Sequence, residues 1–161
     1  MSIVAQRRQD SAESDINDEH VVNGLWSGLR FLARHARDRA ATGGTATVRA
    51  TIQPASPDKP AALCHYRGWG EGDRLGDQVL AEPPESTGVF DVDELAEDGP
   101  GLIAAASELA TGLVQPFGRP EIIQLSRAGQ IRIRYWKHGH NDALQRWAQA
   151  ANVELTEATL S

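Results

Sequence analysis

Basic and aromatic residues cluster towards the C-terminal end of the chain. Residues 122–140 contain four basic residues and no acid. If this stretch contains a strand, Arg132, Arg134 and Trp136 share one face, because side chains alternate along a strand. Guanidinium groups bind phosphates and indole rings stack on bases, so the face could bind a nucleic acid or a partner protein. A plain solvated outer face is the third interpretation. The candidate binding residues here are Arg127, Arg132, Arg134, Trp136 and Lys137.

A further tryptophan, Trp69, lies in a glycine-rich stretch. Such a ring either folds back onto the core or serves as a contact anchor, since tryptophan is enriched among interface hot spots. We therefore add Trp69 to the candidate partner-binding or nucleic-acid-binding residues.

Two histidines separated by one glycine, His138 and His140, are the candidate metal ligands. On an extended chain the two imidazoles lie on the same side, and imidazole is a common metal ligand. The spacing selects no third ligand, and polar residues are also usual where a strand gives way to a helix cap. We predict no metal site and no cofactor.

The neighbours Cys64 and His65 suggest a nucleophile and a base. Adjacent side chains of a regular strand point to opposite faces, so the two cannot form a direct dyad. Cys64 is expected to be a small core residue. With no other assembled catalytic set, we predict that the protein is not an enzyme, although a site that combines His65, His138 or His140 with a carboxylate stays open.

The composition excludes several classes of protein. The chain has 161 residues, with 16 Lys and Arg against 22 Asp and Glu, and a net charge of −6. This acidity weighs against broad nucleic-acid binding, which needs concentrated positive charge. The single cysteine excludes an internal disulfide and a cysteine-only zinc site. No apolar run suits a signal-peptide core or reaches the ~20 residues of a membrane helix, so we expect a cytoplasmic protein.

Hydrophobic periodicity predicts the elements that position these residues. Three segments have helical spacing: one that begins after a cap at Asn17 or Asp18 and ends near Gly43, one that begins near Pro100, and one capped by Asn141 or Asp142. Alternation or apolar runs predict strands over 45–53, 61–67, 121–126 and 130–136, with a further edge strand near 78–81. Residues 127–129 form a hairpin turn in which Gly129 takes a positive φ.

The predicted order is α-β-β-(β)-α-β-β-α, an α+β fold in which helices pack on one face of a mostly antiparallel sheet. We place one domain over residues 17–155, between a disordered tail at residues 1–16 and a C-terminal tail at 156–161. Over roughly residues 18–152 this order resembles the small α+β fold of bacterial type III secretion chaperones and their YbjN-like relatives. The resemblance implies a non-enzymatic and often dimeric protein that holds or senses a partner polypeptide.

The sequence thus predicts a chaperone-like, adaptor or regulatory interaction module that binds a partner polypeptide, either another protein or a second copy of itself. The alternative is a nucleic-acid-binding accessory domain that uses the basic hairpin 121–137. No membrane partner is expected.

Overall fold

A computed structural model describes residues 2–4, 12–40, 43–54, 58–66, 72–136 and 141–157. The helices are α1 (Asp18–Ala40), α2 (Val92–Ala96), α3 (Pro100–Val114) and α4 (Asn141–Ala150). The strands are β1 (Ser2–Val4), β2 (Ser14–Asn17), β3 (Thr45–Gln53), β4 (Ala61–His65), β5 (Asp73–Leu80), β6 (Glu85–Asp91), β7 (Ile131–Arg132) and β8 (Leu155–Thr156). Short 3-10 helices cover Gln115–Phe117 and Ile133–Tyr135.

The described strands form two three-stranded sheets and one short pair. In the first sheet β3 lies between β1, which is parallel to it, and β6, which is antiparallel. In the second sheet β4 lies between the parallel β2 and the antiparallel β5. Strands β7 and β8 pair in parallel. The α+β class is confirmed, and the sheets are mostly antiparallel in the sense that the β3–β6 and β4–β5 pairings join more residues than the three parallel pairings.

Helix α3 packs on the first sheet, where it contacts β6 and β3, and its other contacts are with α1 and α2. Close packing on β6 depends on Gly112, because a Cβ built there would lie 2.2 Å from the Oγ of Ser86. The helix begins as predicted, with Pro100 in its first turn and Gly99 as the N-cap.

Helix α1 begins where its polar residues predict. The Asn17 side-chain oxygen accepts a hydrogen bond from the backbone N–H of Glu19 at 2.9 Å, which satisfies a donor that the first turn leaves free. Arg37 and Arg39 lie in the last turn, where cations interact favourably with the helix dipole. One face of α1 is buried, including Leu25, Leu29 and Ala33.

The N-terminal tail is one point where the structure differs from the prediction. Residues 14–17, all buried, form β2 and pair with β4, and residues 2–4 pair with β3. Both pairings are parallel and join segments more than 40 residues apart, so local composition does not reveal them. The sheets thus include two segments of what the sequence assigned to a tail. At the other end, β8 extends to Thr156, one residue into the predicted C-terminal tail.

The predicted hairpin over 121–136 is also wrong. Its turn forms, and Gly129 has a φ of 78°. However, the pairing is limited to an isolated bridge between Leu125 and Ile131, whose last hydrogen bond runs from the Arg132 N–H to the Gln124 carbonyl at 2.8 Å; the other edge of β7 pairs with β8. The chain then turns into the 3-10 helix Ile133–Tyr135.

None of the helices in the described ranges combines the length and the apolar character needed to span a bilayer.

Candidate partner-binding groove

Arg132, a candidate for phosphate binding, is occupied inside the protein. Its side chain is only 12% exposed, and it donates hydrogen bonds to the carbonyl oxygens of Leu125 at 2.8 Å and Ile122 at 3.1 Å. It also pairs with the carboxylate of Glu121 at 3.2 Å. These bonds satisfy backbone carbonyls of the irregular segment before the turn. Arg132 thus stabilises this segment by hydrogen bonds and is not part of an exposed basic surface.

The other residues of the predicted basic face do not share one surface with Arg132. Arg134 is exposed, with its guanidinium 5.7 Å from the ring centroid of Tyr135, and Arg127 is exposed on the turn. Trp136 is only 5% exposed. The cause is the 3-10 helix, whose residues advance by about a third of a turn, whereas the prediction assumed the half-turn alternation of a strand.

Trp69, Lys137, His138 and His140 lie outside the described residues. Within the described ranges, no group of three or more His, Cys, Asp or Glu side chains could hold a metal ion.

Trp136 instead belongs to a tryptophan cluster formed with Trp26 of α1 and Trp147 of α4. The ring centroid of Trp26 lies 4.3 Å from that of Trp147, with an interplanar angle of 71°, and 6.2 Å from that of Trp136, with an angle of 79°. Edge-to-face contacts of this kind add to the burial energy of the rings. Helical spacing predicted Trp26 and Trp147 as core residues, and both pack on the core while remaining half-buried.

The tryptophan cluster borders a cavity of about 480 Å³ between α1 and α4. This volume lies within the range of ligand-binding cavities. The indole Nε1–H of Trp136 is buried and has no hydrogen-bond acceptor among the described residues, an arrangement that costs about 1–3 kcal/mol. Besides the three tryptophans, the cavity is lined by Asn23, Ser27, Arg30, Phe31, Arg34, Ala143 and Leu144.

A second, exposed face of α1 adjoins this cavity. Its residues recur at i, i+3, i+4, i+7 and i+8, which is the spacing of a helix face that packs against a partner. Phe31 is 69% exposed and Leu32 is 53% exposed. We call this face the α1 ridge; it consists of Gly24, Ser27, Gly28, Phe31 and Leu32, and it lines a depression of about 510 Å³. Ser27 and Phe31 line both spaces, so the cavity and the depression along the α1 ridge are adjacent, and we call the two together the groove.

Two arginines form the polar wall of the groove. Arg30 approaches both carboxylate oxygens of Asp98, with two contacts of 2.7 Å. Arg34 lies 3.3 Å from the same carboxylate and donates to the Ala96 carbonyl at 2.9 Å. Two positive charges thus face one negative charge.

A third arginine of α1, Arg37, is already balanced. The hydrogen bond that Arg37 donates to Asp38 raises the pKa of Arg37 above its ordinary value, and the negative charges of Asp38, Asp93 and Glu97 add to this effect, against a lowering by desolvation. Arg30 and Arg34 are thus the arginines of α1 that line the cavity, whereas Arg37 does not line it.

A separate polar cluster lies inside the protein at the N-terminal end of α1. Asp18 is fully buried and accepts hydrogen bonds from Gln124 Nε2 at 2.6 Å and from the Glu19 backbone N–H at 2.8 Å. The Nδ1 atom of His65 lies 3.0 and 3.1 Å from its two carboxylate oxygens. We call Asp18, His65 and Gln124 the buried polar cluster.

The buried polar cluster brings His65 against a carboxylate, as one open alternative required. The two residues are held in the interior, and Cys64 is also buried. The cluster therefore satisfies polar groups of β4, α1 and the segment before β7, and it does not border the groove. Sequence spacing could not have found it, because Asp18 and Gln124 are 106 residues apart.

No protein-family model, curated protein or solved structure matches this chain. The resemblance to secretion chaperones thus stays a prediction, and the functional argument depends on the groove alone.

Proposed function

We propose that this protein is a non-enzymatic interaction module that holds a segment of a partner polypeptide in the groove between α1 and α4. One observation carries the proposal: two large apolar side chains, Phe31 and Leu32, are exposed next to a cavity bordered by tryptophans. Exposed apolar surface next to a concave aromatic site is typical of protein-binding surfaces. A chaperone-like, adaptor or regulatory role in the cytoplasm agrees with this proposal.

The shape of the groove favours a polypeptide over a small ligand. The cavity opens onto the α1 ridge, so the apolar surface continues along the helix beyond the tryptophan cluster. A compact ligand would fill the cavity and leave Leu32 in water, whereas a chain segment covers both. We do not propose nucleic-acid binding, because Arg132 and Trp136, two residues expected to bind it, are drawn into the interior.

Site-specific cross-linking tests the proposal. A photoreactive amino acid is placed at the exposed Ser27 in the groove and, as a control, at the exposed Thr87 on β6. In extract from the source cells, we expect the variant labelled at position 27 to cross-link to a protein that the variant labelled at position 87 does not capture. A cross-link between two copies of the chain would identify a homodimer as the bound form.

The partner identified by mass spectrometry is then purified and titrated against the full chain. Ser27→Trp fills the groove from an exposed position, so we expect it to weaken binding at least about tenfold. Equal labelling from both positions, or affinity that Ser27→Trp leaves unchanged, would contradict the proposal.

A further inference from the structure

The α1 ridge has the side chains that admit a second helix at close range. Gly24, Ser27 and Gly28 are small residues of the α1 ridge and lie at i, i+3 and i+4 positions. Helix axes approach to 8–10 Å depending on the side chains at the contact, and small residues allow the shorter distance. Phe31 and Leu32 extend the same face by one turn. A helix with its own apolar stripe therefore suits the ridge.

The tryptophan cluster gives this helix an anchoring position. The cavity beside Trp26, Trp136 and Trp147 is also lined by Phe31 of the ridge. A large apolar side chain of a helix that lies on the ridge can therefore enter this cavity. Helix-in-groove recognition commonly uses such anchors at i, i+3, i+4 and i+7 of the bound helix.

The polar wall specifies a charge for the same segment. Arg30 and Arg34 carry +2 and Asp98 carries −1, so the wall carries +1. The Nη1 groups of both arginines have no hydrogen-bond partner among the described residues. Guanidinium groups bind carboxylates in charge-assisted hydrogen bonds. The complementary group is an acidic side chain on the segment that carries the apolar anchor.

We propose that the groove binds an amphipathic α-helix whose apolar anchor enters the tryptophan-lined cavity and whose Asp or Glu side chain pairs with Arg30 and Arg34. This inference rests on the proposed function and adds the chemistry of the partner segment to it.

Peptide selection on the full chain tests the inference. Random peptides of about 16 residues, enough for roughly four helical turns, are displayed and selected for binding. We expect the enriched peptides to combine a helical apolar stripe with an acidic residue. A proline at the centre of a selected peptide should abolish binding, because it breaks the helix.

Charge variants locate the acidic residue of the peptide. Replacing it by Gln should weaken binding to the wild-type chain about fivefold, the value of a part-exposed ion pair. Arg34→Gln removes the net charge of the wall and should abolish the difference between the Glu and Gln peptides. Arg39→Gln, the same change at an exposed position of α1, should preserve it. Asp98→Asn should increase the affinity for the acidic peptide, which tests the pairing even if Arg34→Gln fails to fold.

The possible failures are distinguishable. Enriched peptides that are basic, uncharged or insensitive to the central proline would overturn the inference and leave the proposed function in place. A second copy of the chain that occupies the groove, seen as dimerisation that Ser27→Trp abolishes, would also overturn the inference. Selection that yields no groove-dependent peptide and no dimer would overturn both.

Discussion

The first turn and the middle of helix α1 both depart from the usual rule that charged side chains are exposed and large apolar side chains are buried. Its first turn buries two acids, Asp18 and Glu19, whereas its middle exposes Phe31 and Leu32. Both arrangements are unusual, because charged residues are rarely buried unless paired and clusters of exposed large apolar residues mark interaction sites.

The buried acids and the exposed apolar residues of α1 differ in whether the protein itself supplies the groups that contact them. Asp18 accepts hydrogen bonds from a backbone N–H and from Gln124, and it lies against His65, so the fold satisfies the buried charge. The α1 ridge lies beside a cavity instead of a packed element. We infer that the first turn of α1 maintains the fold and that the middle of α1 serves binding. Three substitutions test this division.

Asp18→Ala should have the largest effect on stability. It leaves the polar groups of His65 and Gln124 in the interior without their carboxylate, and breaking a buried pair in this way costs about 3–5 kcal/mol. Urea unfolding measures the change in the free energy of unfolding. As a control, Asp77→Ala at an exposed position of β5 should change it by less than about 0.5 kcal/mol. A loss below about 1 kcal/mol in Asp18→Ala would show that the cluster does not maintain the fold.

Trp147→Ala should affect both stability and binding, because Trp147 of α4 packs against the core and also lines the groove. Trp147 is half-buried and contacts the ring of Trp26, so we expect a loss of about 2 kcal/mol in the free energy of unfolding. The near-ultraviolet circular dichroism should decrease as the ring pair is lost. Trp147→Phe keeps an aromatic contact and should recover most of the stability. If the alanine variant is as stable as the wild type, the cluster does not contribute to the core.

The sequence predicted the parts of this fold that depend on local pattern. The helical spacing of α1, the N-cap at Asn17 and the positive φ of Gly129 depend on neighbouring residues and were found. The short β7 pairs with β8, more than 20 residues later, and the chain enters a 3-10 helix at Ile133 before Arg134 and Trp136 can alternate. Such competition between distant segments has no local signature.

The groove did have a signal in the sequence, although our prediction did not use it. The apolar face assigned to α1 contains Leu25, Leu29 and Ala33, and it leaves Phe31 and Leu32 outside. Two large apolar residues outside the buried face of a helix suggest a second packing surface. The position of Asp98 beside Arg30 and Arg34 could not be derived, because it depends on how the segment after α2 returns to α1.

Phe31→Gln should have the smallest effect on stability and a large effect on binding. The ring is mostly exposed, so removing it should change the free energy of unfolding by less than about 0.5 kcal/mol. Binding of the cross-linked partner should weaken by at least about tenfold, because the ring borders both parts of the groove. Calorimetric titration and urea unfolding of the same preparation separate the two effects.

Val89 supplies the matched control, since it is 65% exposed on β6, away from the groove. Val89→Gln should change neither quantity. If Phe31→Gln destabilises the chain by more than about 1 kcal/mol, its ring supports the fold and the division of α1 fails. If both substitutions weaken binding equally, exposed apolar area in general, and not the groove, attracts the partner. Only a loss of binding confined to Phe31 agrees with an α1 whose buried Asp18 is hydrogen-bonded within the chain and whose middle is completed by a partner.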